Sequence, residues 1–322
     1  MPLPLPALAL DTCEDLRGRD FLSVRDLRAE ELRALLEVAA QMKAHPRAFG
    51  DTLTGKTLAM VFEKPSLRTR VSFDVAMYEL GGHSVYLSPE EIGLGRRESL
   101  GDVARTLEGL VQAIMLRTFS HRTAERMADA AAIPVVNGLS DLTHPCQALA
   151  DFLTMREVAG PLENLRVAYV GDGNNVAHSL VCGAALLGVH VTLATPGGYE
   201  PRSDVVAWAR AHSADPAAAC RVVRKPEEAV ADADVVYTDT WISMGQEADA
   251  SARRRAFAGY QITPALFDLA RPHAVFMHCL PAHRGEEVAG AVIDSPRSVV
   301  FQQAANRLPT EKALLFALLS GG

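Results

Sequence analysis

The feature that most constrains this sequence is a unit that recurs along it: a short apolar strand, a polar loop, a helix, a glycine and a second strand. Thr57–Phe62 reads as a buried strand, and Ser66 is placed to cap the helix after it. Val71, Val75 and Tyr78 recur along that helix at helical spacing. Gly81 and Gly82 end it, and residues 84–87 read as the next strand. The unit returns with a strand at Arg166–Val170, a turn at 171–175 and a helix at 176–187. Val176, Leu180, Ala184 and Leu187 share one face of that helix, Gly188 stops it, and 189–194 form a strand. Val235–Thr238 and 275–277 add two short buried strands that end in polar residues. Strands joined by helical crossovers pair in parallel. Open parallel sheets bind ligands beyond the carboxyl ends of their strands, where the unusual polar clusters of this sequence fall.

At 322 residues the chain has room for two domains. The expectation is an α/β protein of two domains, each a parallel sheet flanked by helices, with an active site in the cleft between them. A helix over 144–157, ended by Ala159-Gly160-Pro161, bridges residues 1–148 and 149–305. An apolar helix at 310–319, within a terminal segment of about 306–322, packs back on the first domain. The formal charge of −7 argues against a nucleic-acid surface or an anionic membrane as partner. Residues 174–199 lack Lys, Arg, Asp and Glu, but two histidines and a Pro-Gly-Gly break make them a buried helix and strand rather than a membrane span. The apolar N-terminus lacks a basic start and does not read as a signal peptide. Five scattered cysteines without a CxxC pair suit a reducing, cytoplasmic setting without disulfides or structural zinc.

Phe62-Glu63-Lys64-Pro65-Ser66-Leu67-Arg68-Thr69-Arg70 follows a strand and opens a helix. The backbone N–H groups of residues 66–69 are expected to be open there, and the helix dipole favours an anion. Ser66 and Thr69 add hydroxyls, and Arg68 adds a guanidinium matched to phosphate oxygens. A Walker A loop is absent, which disfavours an ATPase. This segment resembles the carbamoyl-phosphate signature of the aspartate and ornithine carbamoyltransferases, commonly Ser-Thr-Arg-Thr-Arg, with Leu67 at the usual second threonine. The resemblance gives that position a backbone contact, so the substitution costs at most one hydroxyl.

Two further clusters fit a carbamoyl group. Arg117 ends the apolar strand before Thr118-Phe119, and His144 precedes Pro145-Cys146-Gln147 at the start of the bridging helix. Arg117 and His144 suit an oxygen that becomes negative under attack, and Gln147 suits the amide nitrogen. The family uses an Arg, a His and a Gln in these places. Gly171-Asp172-Gly173-Asn174-Asn175 is not a dinucleotide fingerprint, because Val176 stands at the third glycine position.

The remaining roles are what the resemblance implies. Asn175 contacts the amino-acid end of ornithine. Asp239 binds the α-ammonium, and Ser243 and Met244, in an Asp-x-x-x-Ser-Met-Gly loop with Gly245 as its flexible point, close over the substrate. In His278-Cys279-Leu280-Pro281, a signature of the ornithine branch, the Cys279 and Leu280 backbone meets the carbamoyl group and the Cys279 thiol lies near the attacking amine. Arg307 reaches back to carbamoyl phosphate. Zinc on His278, Cys279 and His283 is disfavoured because neighbours on a strand point to opposite faces. No cofactor or metal is implied. The expected reaction is transfer of the carbamoyl group from carbamoyl phosphate to the side-chain amine of L-ornithine, with Arg68, Arg117, His144 and Cys279 as the catalytic set. The resemblance further implies a homotrimer in which the 88–95 loop, with Glu91 as the candidate, reaches a neighbour's site.

Overall fold

The computed structural model describes residues 7–94 and 97–320. The first six residues and Gly95 of the 88–95 loop, on which two expectations fall, lie outside the described residues. The chain forms two compact units. One takes the chain up to Leu153 together with the segment from Ala305 onward, and the other is Thr154–Ala304. Among the described residues no helix is long and apolar enough to cross a membrane.

The first unit holds β1 (Thr57–Phe62), β2 (His83–Leu87), β3 (Ala113–Arg117) and β4 (Val135–Leu139), in the order β2-β1-β3-β4. All three pairings are parallel, with Leu58 opposite both Ser84 and Ala113. Ala59, Val61, Ile114, Leu116 and Val135 bury one face of this sheet against Val103, Ala104, Ala124 and Met127 of two crossover helices. The second unit holds β5 (Arg166–Val170), β6 (His190–Ala194), β7 (Arg221–Val223), β8 (Val235–Thr238) and β9 (Val275–His278), again all parallel, in the order β7-β6-β5-β8-β9. Each sheet reverses its winding once, between β1 and β3 and between β5 and β8. Crossovers leave for opposite faces at such a point, and their loops part to leave a crevice at the strand ends.

Helix Leu67–Glu79 starts where expected, with the Ser66 side chain as its cap. Thr69, Ser72, Phe73, Ala76 and Met77 are buried, whereas Val71 is 49% exposed and Tyr78 81%. The helix carries apolar residues on two sides. The one with Phe73 and Met77 an interlocking turn apart packs inward, leaving Leu67, Val71 and Tyr78 as an outer stripe. Gly81 lets the chain turn tightly here, with φ +80° and a Cβ position that would lie 2.6 Å from the Gly50 carbonyl oxygen. The last helix, Arg307–Leu319, is buried on nearly every side because it packs against both Ala29–Ala44 and Leu67–Glu79. Lys312 bonds the Glu79 carboxylate at 2.8 Å, and Lys43 bonds the Asn306 side-chain oxygen at 2.7 Å.

Candidate active site

In the first unit the loops after β1 and β3 flank the reversal point and are tied by one carboxylate. Glu63 accepts from the Thr118 hydroxyl and, at 3.1 Å, from the Phe119 N–H. Lys64 follows, buried, with its ammonium 4.8 Å from the centre of the Phe119 ring. Burial, and next the Arg117 charge, push the Lys64 pKa down to about 8. Ser66 Oγ accepts from the Thr69 N–H at 3.3 Å and lies 3.1 Å from Thr69 Oγ1. One of the N–H groups expected to face a ligand is thus taken by the cap. Leu67 is three-quarters exposed, so its side chain turns away and only its backbone can serve the loop.

Arg117 is the buried last residue of β3. The β3–β4 register slips by one between Leu116 and Arg117, an irregularity of the kind that re-aims a strand's final side chain. His144 is buried just before helix Pro145–Ala159. Burial first, then the charges of Arg307, Arg117, Arg68 and Lys64, hold its pKa well below the usual histidine value. The imidazole is therefore neutral at neutral pH, and four cations act on one buried ring. Arg307 closes the cluster: its Nη1 donates to Gln147 Oε1 at 3.1 Å, its Nη2 to Thr69 Oγ1 at 3.4 Å, and its Nε to Glu311 Oε1 at 2.8 Å. Gln147 in turn donates to Asp151 at 2.8 Å. Ser66, Thr69, Gln147 and Arg307 thus form one bonded set, with Arg68, Arg117 and His144 coupled to it by charge. Such a set suits a compact, multiply charged anion.

The second reversal point carries a different chemistry. Asp239, buried just beyond β8, accepts from Asn174 Nδ2 at 2.7 Å and from the Cys279 thiol at 3.0 Å. No salt bridge to it occurs among the described residues, so a buried carboxylate stands ready for an incoming cation. Asn174 caps the next helix as well, its oxygen accepting from the Val176 and Ala177 N–H groups. Asn175, the residue singled out from sequence, is the first residue of that helix. Gly173 is required by packing, since a Cβ there would fall 2.2 Å from the Pro201 nitrogen. The stem of the loop after Asp239 is anchored by Arg253, which pairs with buried Asp172 and donates to the Trp241 carbonyl at 2.5 Å. Burial raises the Asp172 acid to about 6 against the opposing pull of Arg253. Ser243 and Met244 lie at the tip: Ser243 N–H bonds Gln246, Met244 is 47% exposed, and Gly245 has φ +93°. The structure therefore joins Asp239 and Cys279 by a hydrogen bond, and Ser243 and Met244 lie on the loop that follows Asp239.

The metal argument needs a correction. Ligand atoms of Asp239, His278 and Cys279 do lie within 4.8 Å of one another, because strand alternation ends at His278 and Leu280 turns into the left-handed region at φ +57°. A different observation disfavours a metal here. His278 Nδ1 accepts from the Leu280 N–H at 2.8 Å, which leaves the ring proton on Nε2, and Nε2 faces Glu287 Oε1 at 3.3 Å. Both ring nitrogens are already bonded. Sequence reasoning missed Lys64, Asn174, Asp172 and Glu311. Asn174 was detectable as an Asn at a helix start; the others carry no local signal.

Two family profiles together span most of the chain. Residues 19–157 match "Aspartate/ornithine carbamoyltransferase, carbamoyl-P binding domain" and residues 163–318 match "Aspartate/ornithine carbamoyltransferase, Asp/Orn binding domain". An ornithine carbamoyltransferase of Anoxybacillus flavithermus is 52% identical over 94% of this chain and 98% of its own length. An anabolic ornithine carbamoyltransferase of Pyrococcus furiosus is 51% identical over 95% of this chain and 98% of its own. The solved structure of the Pyrococcus furiosus ornithine carbamoyltransferase superposes with a TM-score of 0.91 at 50% identity, covering 94% of this chain and 98% of that one. With an anion cluster at one reversal point, a carboxylate site at the other and relatives that match along nearly their whole length, the chain belongs to the aspartate/ornithine carbamoyltransferase family.

Proposed function

We propose that this enzyme transfers the carbamoyl group of carbamoyl phosphate to the side-chain amine of L-ornithine, forming L-citrulline and phosphate. The observation that carries the choice of acceptor is Asp239, a buried carboxylate held by Asn174 and Cys279, which suits the α-ammonium of a free amino acid. Carbamoyl phosphate binds first, to the first unit. Its phosphate takes Ser66, the Leu67 backbone, Arg68, Thr69 and Arg307, and its carbamoyl group takes Arg117, His144 and Gln147. Ornithine binds to the second unit through Asn175 and Asp239, with Ser243 and Met244 closing over it and the Cys279–Leu280 backbone meeting the carbamoyl group. The neutral amine nitrogen forms a bond to the carbamoyl carbon, whose oxygen takes up negative charge. The C–O bond to phosphate then breaks as the carbonyl re-forms, phosphate leaves with the electron pair, and the proton that the attacking nitrogen sheds leaves on the departing phosphate. Arg117 and a neutral His144 donate to the developing oxyanion without a prior protonation step. Acceleration rests on positioning and preset charge rather than on a covalent enzyme intermediate. The name of the anabolic relative favours the citrulline-forming direction, within arginine biosynthesis.

The test offers ornithine, putrescine, N-acetylornithine and aspartate in parallel, with carbamoyl phosphate, to the wild type and to Arg68→Ala. Carbamoylation of ornithine alone, lost in the variant, is expected. Turnover with another acceptor would overturn the role of Asp239, and none with any acceptor would overturn the enzymatic reading.

The same reading places the protein in the cytoplasm, in keeping with five free, buried cysteines, and as a homotrimer whose 88–95 loop completes a neighbour's site. The outer stripe of Leu67, Val71 and Tyr78 beside the edge strand β2, with Val85 38% exposed, supports an assembly surface on the first unit. Sedimentation is expected to give a three-chain mass, and Val71→Asp with Tyr78→Asp to lower it. A single-chain mass for the wild type at micromolar concentration would remove this part of the proposal.

A further inference from the structure

Glu311 is fully buried one helical turn beyond Arg307, and its carboxylate is the one hydrogen-bonded to that guanidinium among the described residues. The other contacts of Arg307 are neutral oxygens, Gln147 Oε1 and Thr69 Oγ1, and both residues belong to the bonded set that suits an anion. Of the other charged groups around the set, Arg68, Arg117 and Lys64 are positive, and the Asp151 carboxylate is bonded to Gln147 and acts on Arg307 through its charge alone. An anion-binding site thus contains an anion of its own. We propose that Glu311 is a resident counter-ion that competes with the phosphate group for Arg307, so that the charge kept by Glu311 sets the anion affinity of the site. The proposal rests on the phosphate role assigned above.

The physics is that of a buried pair in which each partner needs the other. A guanidinium taken out of water without a carboxylate is costly, so Glu311 stabilises the ligand-free protein. A bound phosphate supplies the same compensation, and the two anions, sharing one arginine, then repel. Burial already pushes the Glu311 acid up to about 7 against the pull of Arg307, and a second anion raises it further. Binding should therefore draw a proton onto Glu311 near neutral pH. The groups facing the pair are few. Arg307 lies on the same helix. Ser72 faces Glu311 from helix Leu67–Glu79, and Cys146 and Asp151 act from helix Pro145–Ala159. Burial raises the Cys146 thiol far above neutrality, and His144 is neutral throughout this range. Lys64, at about 8, is mostly protonated at pH 7.

The experiment is calorimetry of sulfate binding to the intact enzyme at pH 7 in two buffers of different ionisation enthalpy, with wild type and Glu311→Gln. Sulfate keeps its double charge in this range, and its competition with carbamoyl phosphate is checked by inhibition kinetics. The expected result is fractional proton uptake by the wild type, none by Glu311→Gln, and affinity about tenfold tighter in the variant from removing one nearby charge. The variant should melt earlier without ligand and gain more than the wild type from sulfate. Equal affinity and equal proton uptake in the two proteins would overturn the proposal. If Glu311→Gln does not fold, the wild type decides alone, and sulfate binding without proton uptake at pH 7 overturns it. Sulfate that fails to bind the wild type, or does not compete with carbamoyl phosphate, would instead break the phosphate assignment beneath it.

Discussion

Replacing Arg117 with alanine is expected to lower kcat for citrulline formation by about 10²- to 10³-fold, the usual loss for one donor to a developing oxyanion. Arg117 ends β3 beside the reversal point, buried, within electrostatic reach of His144 and Lys64. Its guanidinium is fixed before the reaction starts, so it stabilises new charge without reorganising. The residues proposed to hold phosphate, Ser66, Arg68, Thr69 and Arg307, are untouched, and saturation with carbamoyl phosphate should still be reached. Steady-state kinetics at saturating ornithine reads both effects. A loss under about tenfold would move the oxyanion role away from Arg117.

The second large effect falls on the acceptor. Asp239→Asn keeps the shape of the side chain and an oxygen for the Cys279 thiol but removes the charge. We expect kcat/KM for ornithine to drop about 10²- to 10³-fold, as when a buried charge loses its charged partner. Sulfate competition against carbamoyl phosphate should be unchanged, because Asp239 bonds none of the residues proposed to hold the phosphate group. An ornithine kcat/KM within a factor of about three of wild type would show that the α-ammonium binds elsewhere, since that margin is under about 1 kcal/mol.

How far the sequence could be read depended on whether the signal was local. The strands at Thr57–Phe62, Arg166–Val170 and Val235–Thr238 were legible because each is a short apolar run closed by polar residues. So were the Ser66 cap and the stop at Gly188. The inward face of helix Leu67–Glu79 was not legible. Its two apolar stripes are equivalent until the sheet and the final helix select Phe73 and Met77. The strand Val135–Leu139 went unnamed because Asn and Gly interrupt it; there Asn137 is buried and bonds the Leu22 carbonyl at 3.0 Å and Thr143 Oγ1 at 2.9 Å. The site motifs were legible as chemistry, but the partner residues were not. Asn174 holds Asp239 from 65 positions away, and Glu311 reads as an ordinary helix acid until its burial is known. The zinc argument also rested on strand alternation, which the chain abandons one residue too early for it to hold.

The order in which the chain is made gives the last helix a particular weight. Arg307–Leu319 belongs to the first unit, yet it emerges from the ribosome after every residue of the second. The first unit therefore cannot finish its core during synthesis, although its sheet is translated early. It waits with the face that Leu314 and Leu318 will cover still open, while the second unit, one uninterrupted stretch of chain, is free to fold as it appears. Arg307 arrives on that same helix. A nascent chain cut short before it thus lacks a wall of its core and an arginine of its anion site at once, so completeness of translation and competence to bind are decided by a single event.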